Sequence, residues 1–476
     1  MNNNQFKLNF EKNDNKLCNA LNSGIFTVLF EIDTPNENCN LQTVISRYSD
    51  FLSVVNEVEV FNSGLAVTDK KSSDNNYNII DFASNLFKND KNSHLVFLSG
   101  RNSTQTEMNE ILGASLNYGI HNIVPVSGSV YSDDNLKKNS SIKFTESVLL
   151  LEKIYRNKSK YGLMNAGSVV NPFKYSLLSI YPQYLKLIRK INFGAEYLIA
   201  QAGWDMYKYQ ELRWYLEQRG LFVPTLARLI LLRPEYVENI IAGKQPGIFL
   251  SPDFLEILKK ESKFGLTQFM AAQWRRFQLQ IAGLKWFGYS GVVISGLDSV
   301  ANVKTATAKI KSVFEEFSSF KEWRDSYLNY LSRSDMTPYP YKHYIYDNLF
   351  EDAHYDIAKS KSMKIEECTF KEKFNYKFNY KFKKCIIILS DKTKLLHKDK
   401  ARKIMLSGCD GKCDNCCILG KFMICAKSCP KKMYNGPCGE TKNDLKCIAS
   451  DKECIYSKVF RYAAWKKDLA HLEDVE

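Results

Sequence analysis

The chain has 476 residues, of which 45% are hydrophobic and 25% are charged, values typical of a globular protein. They exclude wholesale disorder, a fibrous repeat and a protein made mainly of membrane spans, because no apolar run approaches the ~20 residues that cross a bilayer. The net charge of +14 fits either an anionic ligand or a solvated basic surface. The first residues lack a basic segment followed by an apolar core, so we expect a cytoplasmic protein.

After a flexible N-terminus at residues 1–21, short β-rich runs alternate with amphipathic helical stretches up to residue 330. Eight such units predict an α/β fold, a (βα)8 TIM barrel over residues 22–330. A doubly wound sheet is the alternative, but the glycine-rich phosphate loops that usually mark it do not occur. The predicted strands are Phe26–Ile32, Glu57–Phe61, His94–Leu98, Asn122–Val126, Tyr161–Asn165, Tyr197–Gln201, Pro224–Leu231 and Gly291–Ile294.

A connector follows at residues 331–400, and a small Cys-rich module at 401–476 ends in a helical tail near Val459–Leu472. Within the connector, residues 374–382 place an aromatic side chain at every second position. This period predicts a β-strand with one aromatic and one polar face. A stacking platform for single-stranded nucleic acid needs more than one such strand, so we expect an edge strand or a biased insertion laid on the domain, and no nucleic-acid partner.

Polar residues at the ends of barrel strands are the candidate site, because catalytic groups of this fold lie where strands end. Glu31 lies in an apolar strand, where partial desolvation suits a carboxyl group to donate a proton; a structural pair with a buried Arg or Lys is the alternative. Gln201 ends another apolar strand, and its amide could form two hydrogen bonds to a heterocycle or hydrogen-bond the backbone of a loop. His94, considered alone, is more typical of a buried core histidine.

Cysteine density is the sharpest signal, since nine of the 13 cysteines lie between Cys409 and Cys454. In a chain expected to be cytoplasmic, this density indicates metal binding rather than disulfides. Thiolates at C-x2-C and C-x3-C spacing can converge on zinc or on an iron–sulfur cluster, and the spacing does not distinguish the two. The candidate metal ligands are Cys409, Cys413, Cys416, Cys425, Cys429, Cys438, Cys447 and Cys454.

Three segments together resemble methylenetetrahydrofolate reductases over residues 20–330. Residues 28–35 resemble the first strand of that family, residues 119–129 the fourth, and residues 194–201 the sixth. The resemblance implies that Glu31 is the catalytic acid and that Gln201 binds the folate pterin. It further implies flavin contacts from Thr68, His94, Asn171 and Lys190, the last with the flavin phosphate.

Two departures from the family pattern stand out. The family's fourth strand usually ends in Arg-Gly-Asp, whereas this chain has Ser127-Gly128-Ser129, with Asp133 or Asp134 as possible substitutes for the acid. Residues 429–439 resemble the C-terminal module of one branch of the family, but Glu440 replaces the usual second glycine after Gly-Pro-Cys-Gly. The resemblance favours an iron–sulfur cluster over zinc and leaves Cys417 as an extra cysteine.

The resemblance implies an enzyme that uses FAD or FMN to reduce 5,10-methylenetetrahydrofolate to 5-methyltetrahydrofolate. NAD(P)H or a protein would donate the electrons, and the module would relay them or dock a partner subunit. The alternative is a non-catalytic folate-binding or interaction subunit of a methyltransferase or reductase complex. Either interpretation allows an oligomer and predicts no membrane partner.

Overall fold

Eight parallel strands form a closed barrel in which each strand pairs with its neighbours in sequence and the last pairs with the first. The computed structural model describes residues 15–56, 61–69, 76–88, 91, 93–131, 142–334, 343–361, 369–392, 422 and 424–472. The (βα)8 prediction is confirmed. The strands are β1 Thr27–Asp33, β2 Asn62–Thr68, β3 Leu95–Ser99, β4 Asn122–Val126, β5 Asn165–Val170, β6 Tyr197–Ala200, β7 Thr225–Ile230 and β8 Gly291–Ser295.

Helices follow the strands and cover the outside of the barrel. Many begin at a side chain that caps the first turn; Thr104, for example, forms a reciprocal capping box with Glu107. The helices are α1 Lys16–Asn22, α2 Leu41–Asn56, α3 Ile79–Leu86, α4 Gln105–Asn117, α5 Ser147–Arg156, α6 Lys158–Tyr161, α7 Leu177–Asn192, α8 Met206–Glu217, α9 Pro234–Ile241, α10 Pro252–Lys263, α11 Leu266–Trp286, α12 Val300–Glu316, α13 Phe320–Arg333, α14 Phe370–Lys392 and α15 Ile455–Lys466.

The module contains little regular structure in the part of it that is described. Lys446–Cys447 (β9) and Ser450–Glu453 (β10) form a two-stranded antiparallel sheet, and short 3-10 turns lie at Ala426–Ser428 and Ala470–Leu472. The predicted helical tail corresponds to α15 and the second of these turns. No helix among the described residues is long and apolar enough to cross a membrane.

Two strands lie later in the chain than predicted. β2 begins at Asn62, after the predicted Glu57–Phe61, and β5 begins at the residue where the predicted strand ended. Both contain a glycine that a neighbour approaches closely. A Cβ on Gly64 would lie 2.2 Å from the Ser93 carbonyl oxygen, and one on Gly167 would lie 2.3 Å from the Tyr197 ring. Close packing therefore selects glycine in segments whose small residues give a weak strand signal.

The predicted aromatic strand at residues 374–382 is wrong, because these residues lie in α14. Aromatic residues at every second position also form two sets with a spacing of four, and each set follows one face of a helix. Tyr376 is buried and packs on Tyr462 of α15 with ring centroids 4.9 Å apart. The other set is exposed; it consists of Phe370, Phe374, Phe378 and Phe382.

The barrel interior is filled at its amino-terminal end. Leu17 and Leu21 of α1 join the interior apolar cluster, and Asn15 donates a hydrogen bond to Asn122 at 2.7 Å. The outer core lies between strands and helices and also includes residues 344–346 of the segment predicted as a connector. With the amino-terminal end closed, the opposite mouth of the barrel is the place where polar side chains can meet a ligand.

We predict that Gly283→Ala destabilises the protein and that Gly113→Ala, in the helix α4, stabilises it. A Cβ on Gly283 would lie 2.2 Å from the Trp323 ring and 2.7 Å from Met206, and overpacking of this kind costs about 1–3 kcal/mol. Nothing lies within 4 Å of a Cβ on Gly113, so helix propensity should add roughly 0.5–1 kcal/mol. Thermal unfolding of the two variants should move in opposite directions; equal shifts would contradict the packing argument.

Candidate functional site

A cavity of about 240 Å³ lies at the carboxyl ends of the barrel strands. Its wall combines strand ends, one face of α7 and a loop of the Cys-rich module, so residues far apart in sequence share one space. The polar residues that line it include Glu31, Thr68, Ser127, Ser129, Asn171, Gln183, Lys186, Lys190, Gln201, Arg228, Cys438 and Glu440.

Glu31 and Gln201 meet at Arg228 of β7. The Arg228 guanidinium donates to both carboxylate oxygens of Glu31, at 2.5 and 2.6 Å, and to Gln201 Oε1 at 3.2 Å. Burial opposes the charge of Arg228, but the attraction of Glu31 and its hydrogen bonds outweigh burial and raise the pKa of Arg228. The structure therefore brings the predicted pair together around a cation whose bridging role the sequence did not reveal.

The side-chain Nε2 of Gln201 is available to a ligand. Its Oε1 accepts from Arg228 and from the Ala202 backbone N–H. Its Nε2, in contrast, has no acceptor among the residues that the structure describes, although it lies beside Gly247 at the cavity wall. A donor that points into a cavity without a partner suits a ligand that offers an acceptor.

Thr68, Asn171 and Lys190 line the same cavity. The Thr68 hydroxyl donates to Asp33 at 2.6 Å, and the Asn171 amide donates to the carbonyl oxygens of Gly247 and Gly439 at 2.9 Å each. Lys190 donates to the Val169 carbonyl oxygen at 2.6 Å. Burial, together with repulsion from Lys186, lowers the pKa of Lys190 to about 7, although Glu146 acts in the opposite direction.

His94 is not part of this site. It precedes β3, at the amino-terminal end of the barrel, and is 3% exposed. Its Nδ1 accepts a hydrogen bond from the Leu65 backbone N–H at 2.9 Å, and its ring stacks on Phe87. The structure therefore does not bring His94 together with Thr68, Asn171 and Lys190, and its flavin contact stays a prediction that the packing of the ring does not favour.

The Cys-rich module covers the mouth through its backbone. Besides the bond from Asn171 to Gly439, Lys174 donates to the Thr441 carbonyl oxygen at 2.6 Å and Lys186 to that of Gly436 at 3.3 Å. These barrel side chains are at most 6% exposed. The loop at residues 436–441 is thus fixed on the barrel by buried donors.

Glu146 holds the adjacent part of the module. It accepts from the backbone N–H groups of Tyr434 and Asn435 and pairs with Lys186 at 2.6 Å. Burial opposes its charge, but Lys186 and these N–H groups outweigh burial and lower the pKa of Glu146. Strand-end reasoning missed Glu146 and Lys186, because both belong to helical segments.

The module also brings charge to the Ser127-Gly128-Ser129 turn. Lys431 donates to the Gly128 carbonyl oxygen at 2.5 Å and pairs with Glu440 at 3.1 Å, with both side chains buried. Arg101 donates to the Ser129 carbonyl oxygen at 2.9 Å. Asp133 and Asp134, the possible substitutes for the family's acid, lie outside the described residues.

Five of the predicted metal ligands lie in the described part of the module. Cys429, Cys447 and Cys454 are close enough to interact electrostatically, and burial raises the pKa of Cys438 to about 12. Among the described residues, no three His, Cys, Asp or Glu side chains are arranged to hold a metal ion. Cys409, Cys413 and Cys416 lie outside the described residues.

Comparison with known families gives two matches. The model described as methylenetetrahydrofolate reductase matches residues 16–236, which contain β1–β7, and the model described as methylene-tetrahydrofolate reductase C terminal matches residues 389–476. No curated protein matches the chain.

Among solved structures, similarity is low. An uncharacterized protein from Clostridium thermocellum that binds two copies of 5-methyl-5,6,7,8-tetrahydrofolic acid has 14% identity and a TM-score of 0.46, over 63% of this chain and 98% of that one. Ligand-free tryptophan synthase from M. tuberculosis has 7% identity and a TM-score of 0.33, over 63% and 98%. The DHPS of Yersinia pestis with a pterine-sulfa conjugate has 11% identity and a TM-score of 0.34, over 61% and 95%.

We predict that Glu146→Ala loosens the module. Lys186 and two backbone N–H groups would lose their buried acceptor, which costs about 3–5 kcal/mol of unfolding free energy. Proteolysis should then start within residues 424–472, and the urea midpoint should fall. Because the pKa of Glu146 is lowered, its contribution is present above the ordinary value of 4.5 and lost as the pH falls through the lowered value.

The matched control is Glu152→Ala, on the same segment of chain. Glu152 pairs with Arg156 at the surface, and exposed pairs of this kind contribute less than about 1 kcal/mol. Wild-type resistance to proteolysis in the Glu146 variant would show that the module does not depend on this carboxylate.

Proposed function

The chain belongs to the methylenetetrahydrofolate reductase family, in the branch with a C-terminal module, and we propose that it reduces 5,10-methylenetetrahydrofolate to 5-methyltetrahydrofolate with a bound flavin. The family match supports a folate-related oxidoreductase. The observation that carries the proposal is the meeting of Glu31 and Gln201 in one cavity, with Gln201 Nε2 available to a ligand acceptor. The reaction adds two electrons and two protons and breaks one carbon–nitrogen bond of the five-membered ring.

The chain's residues fit a flavin at the point where its phosphate would need a cation. Lys190 is buried, bonds only to a backbone oxygen and has no carboxylate within ion-pair distance among the described residues. Burial and repulsion from Lys186 lower its pKa to about 7, and a bound phosphate would favour the charged form of Lys190. When bound, the flavin would supply the two electrons, while Thr68 and Asn171 would border it.

Glu31 would protonate the folate nitrogen that leaves the methylene carbon. In the structure both Glu31 oxygens accept from Arg228, and an oxygen that carries a proton no longer accepts. One of these two contacts must therefore give way when substrate binds. Gln201 is held by the same guanidinium, so the proton donor and the pterin-binding amide keep a fixed separation.

A second candidate is a folate-binding subunit without catalysis. The Glu31–Arg228 pair favours it, since both oxygens of the proposed acid are occupied, and so does the uncharged Ser127-Gly128-Ser129 turn. The purified full-length chain separates the two functions. Visible flavin absorption with consumption of 5,10-methylenetetrahydrofolate under a reduced viologen dye supports the reductase; binding of 5-methyltetrahydrofolate by a colourless, inactive protein supports the subunit.

We also propose that the cysteines of residues 409–454 bind zinc or an iron–sulfur cluster. Their spacing supports this, and the described thiols alone do not complete a site, so no reaction step is assigned to a metal. Chelation of the full chain should expose the module to protease and leave residues 22–325 resistant, because metal supplies on the order of 10 kcal/mol to small modules. Metal analysis of anaerobically purified protein distinguishes zinc from iron, and a metal-free, resistant module would contradict both.

We predict that Glu31→Gln keeps flavin and folate but loses roughly 10²–10⁴-fold of turnover, because the amide preserves shape and cannot donate the proton. Single-turnover reduction of substrate measures the effect. Glu110→Gln, an exposed change on α4, is the control and should match wild type. Unchanged turnover in Glu31→Gln would show that the carboxylate only anchors Arg228.

A further inference from the structure

Two polar groups in the cavity wall lack partners among the described residues. Gln183 of α7 is 6% exposed, and no described residue accepts a hydrogen bond from its buried Nε2. Glu440 of the module is 8% exposed; its Oε2 accepts from Lys431, and within the described part of the chain no group donates to its Oε1. One is a donor and the other an acceptor, and both line the same cavity.

The two groups come from opposite sides of the contact between barrel and module. Gly439, which precedes Glu440, lies next to Gln183, since a Cβ on it would be 3.8 Å from Gln183 Oε1. Asn171, just after β5, donates to the Gly439 carbonyl oxygen, and Lys186 of α7 donates to that of Gly436, so the loop is held next to α7. The donor and the acceptor therefore belong to one small, rigid part of the wall.

Buried polar groups without partners are rare in folded proteins, because they lose their hydrogen bonds to water. A ligand that donates to Glu440 Oε1 and accepts from Gln183, whose Nε2 must turn toward the cavity to reach it, would satisfy both groups at once. The required edge is planar and carries an N–H or amino donor beside a carbonyl oxygen. The 2-amino-4-oxo edge of a reduced pterin has this arrangement, whereas the benzoylglutamate end of a folate does not.

We propose that the C-terminal module completes the folate site, with Glu440 accepting from the pterin amino and ring N–H groups and Gln183 donating to its carbonyl oxygen. This assignment rests on the proposed function, because it takes the ligand to be a reduced folate. Lys431 is a positioning residue: it bridges the Gly128 carbonyl oxygen and Glu440 Oε2, which leaves Oε1 to face the ligand.

Calorimetry of the full chain with 5-methyltetrahydrofolate tests the assignment, with p-aminobenzoylglutamate as a probe that lacks the pterin. Gln183→Leu and Glu440→Gln should each weaken 5-methyltetrahydrofolate binding by about tenfold or more, the loss expected for a hydrogen bond to a buried or charged partner. Binding of p-aminobenzoylglutamate should not change. Asp444→Asn, an exposed change in the same module, should bind both probes as wild type does.

Folding is controlled separately. Glu440→Gln leaves the buried Lys431 charge uncompensated, so the double variant K431M/E440Q removes both charges and should show the same selective loss. Gln183→Leu removes an unsatisfied donor, and its melting temperature should equal or exceed that of wild type; a marked decrease would make Gln183 structural and overturn its role.

Two outcomes distinguish this assignment from the proposed function. If wild type binds 5-methyltetrahydrofolate and the three variants bind it equally well, the assignment is wrong and the folate function stands. If wild type binds no 5-methyltetrahydrofolate, both are wrong.

Discussion

The structure depends on buried polar side chains of the barrel that also bind the backbone of the module. Asn171, Lys174 and Lys186 donate to carbonyl oxygens of residues 436–441, and Glu146 accepts from the N–H groups of residues 434 and 435. At this buried contact the hydrogen bonds to the module satisfy polar groups that are costly to bury unpaired. Barrel and module are therefore parts of one site rather than an enzyme with an appended domain.

This arrangement also couples the charges of the barrel to those of the module. Burial lowers the pKa of Lys174 to about 8, and Cys438, Glu440 and Cys454 of the module act against that decrease. Lys431 shows the reverse balance: burial opposes its charge, but Glu440 and Cys438 outweigh it and raise the pKa of Lys431. Groups of the module thus favour the charged forms of both Lys174 in the barrel and Lys431 in the module, which ties the electrostatics of the cavity to the docking of the module.

The sequence predicted the barrel because eight apolar runs alternate with amphipathic stretches, and β4 has the predicted bounds. It misplaced β2 and β5, since Gly64 and Gly167 occur there for close packing and not for strand propensity. It misassigned α14, because aromatic residues at every second position satisfy a strand and two helix faces alike. Glu31 and Gln201 were identifiable from strand ends, whereas the bridging role of Arg228 depends on the direction of a side chain and on closure of the barrel.

The two departures from the family pattern meet in space. Ser127-Gly128-Ser129 lacks the usual Arg and Asp of the fourth strand, and Glu440 stands where a glycine is usual, 312 positions after Gly128. Lys431 connects the two, with one hydrogen bond to Gly128 and an ion pair to Glu440. The module thus places a cation, Lys431, and a carboxylate, Glu440, next to the Ser127-Gly128-Ser129 turn. No pattern local to either segment could show this, because these contacts exist only where the module closes the barrel.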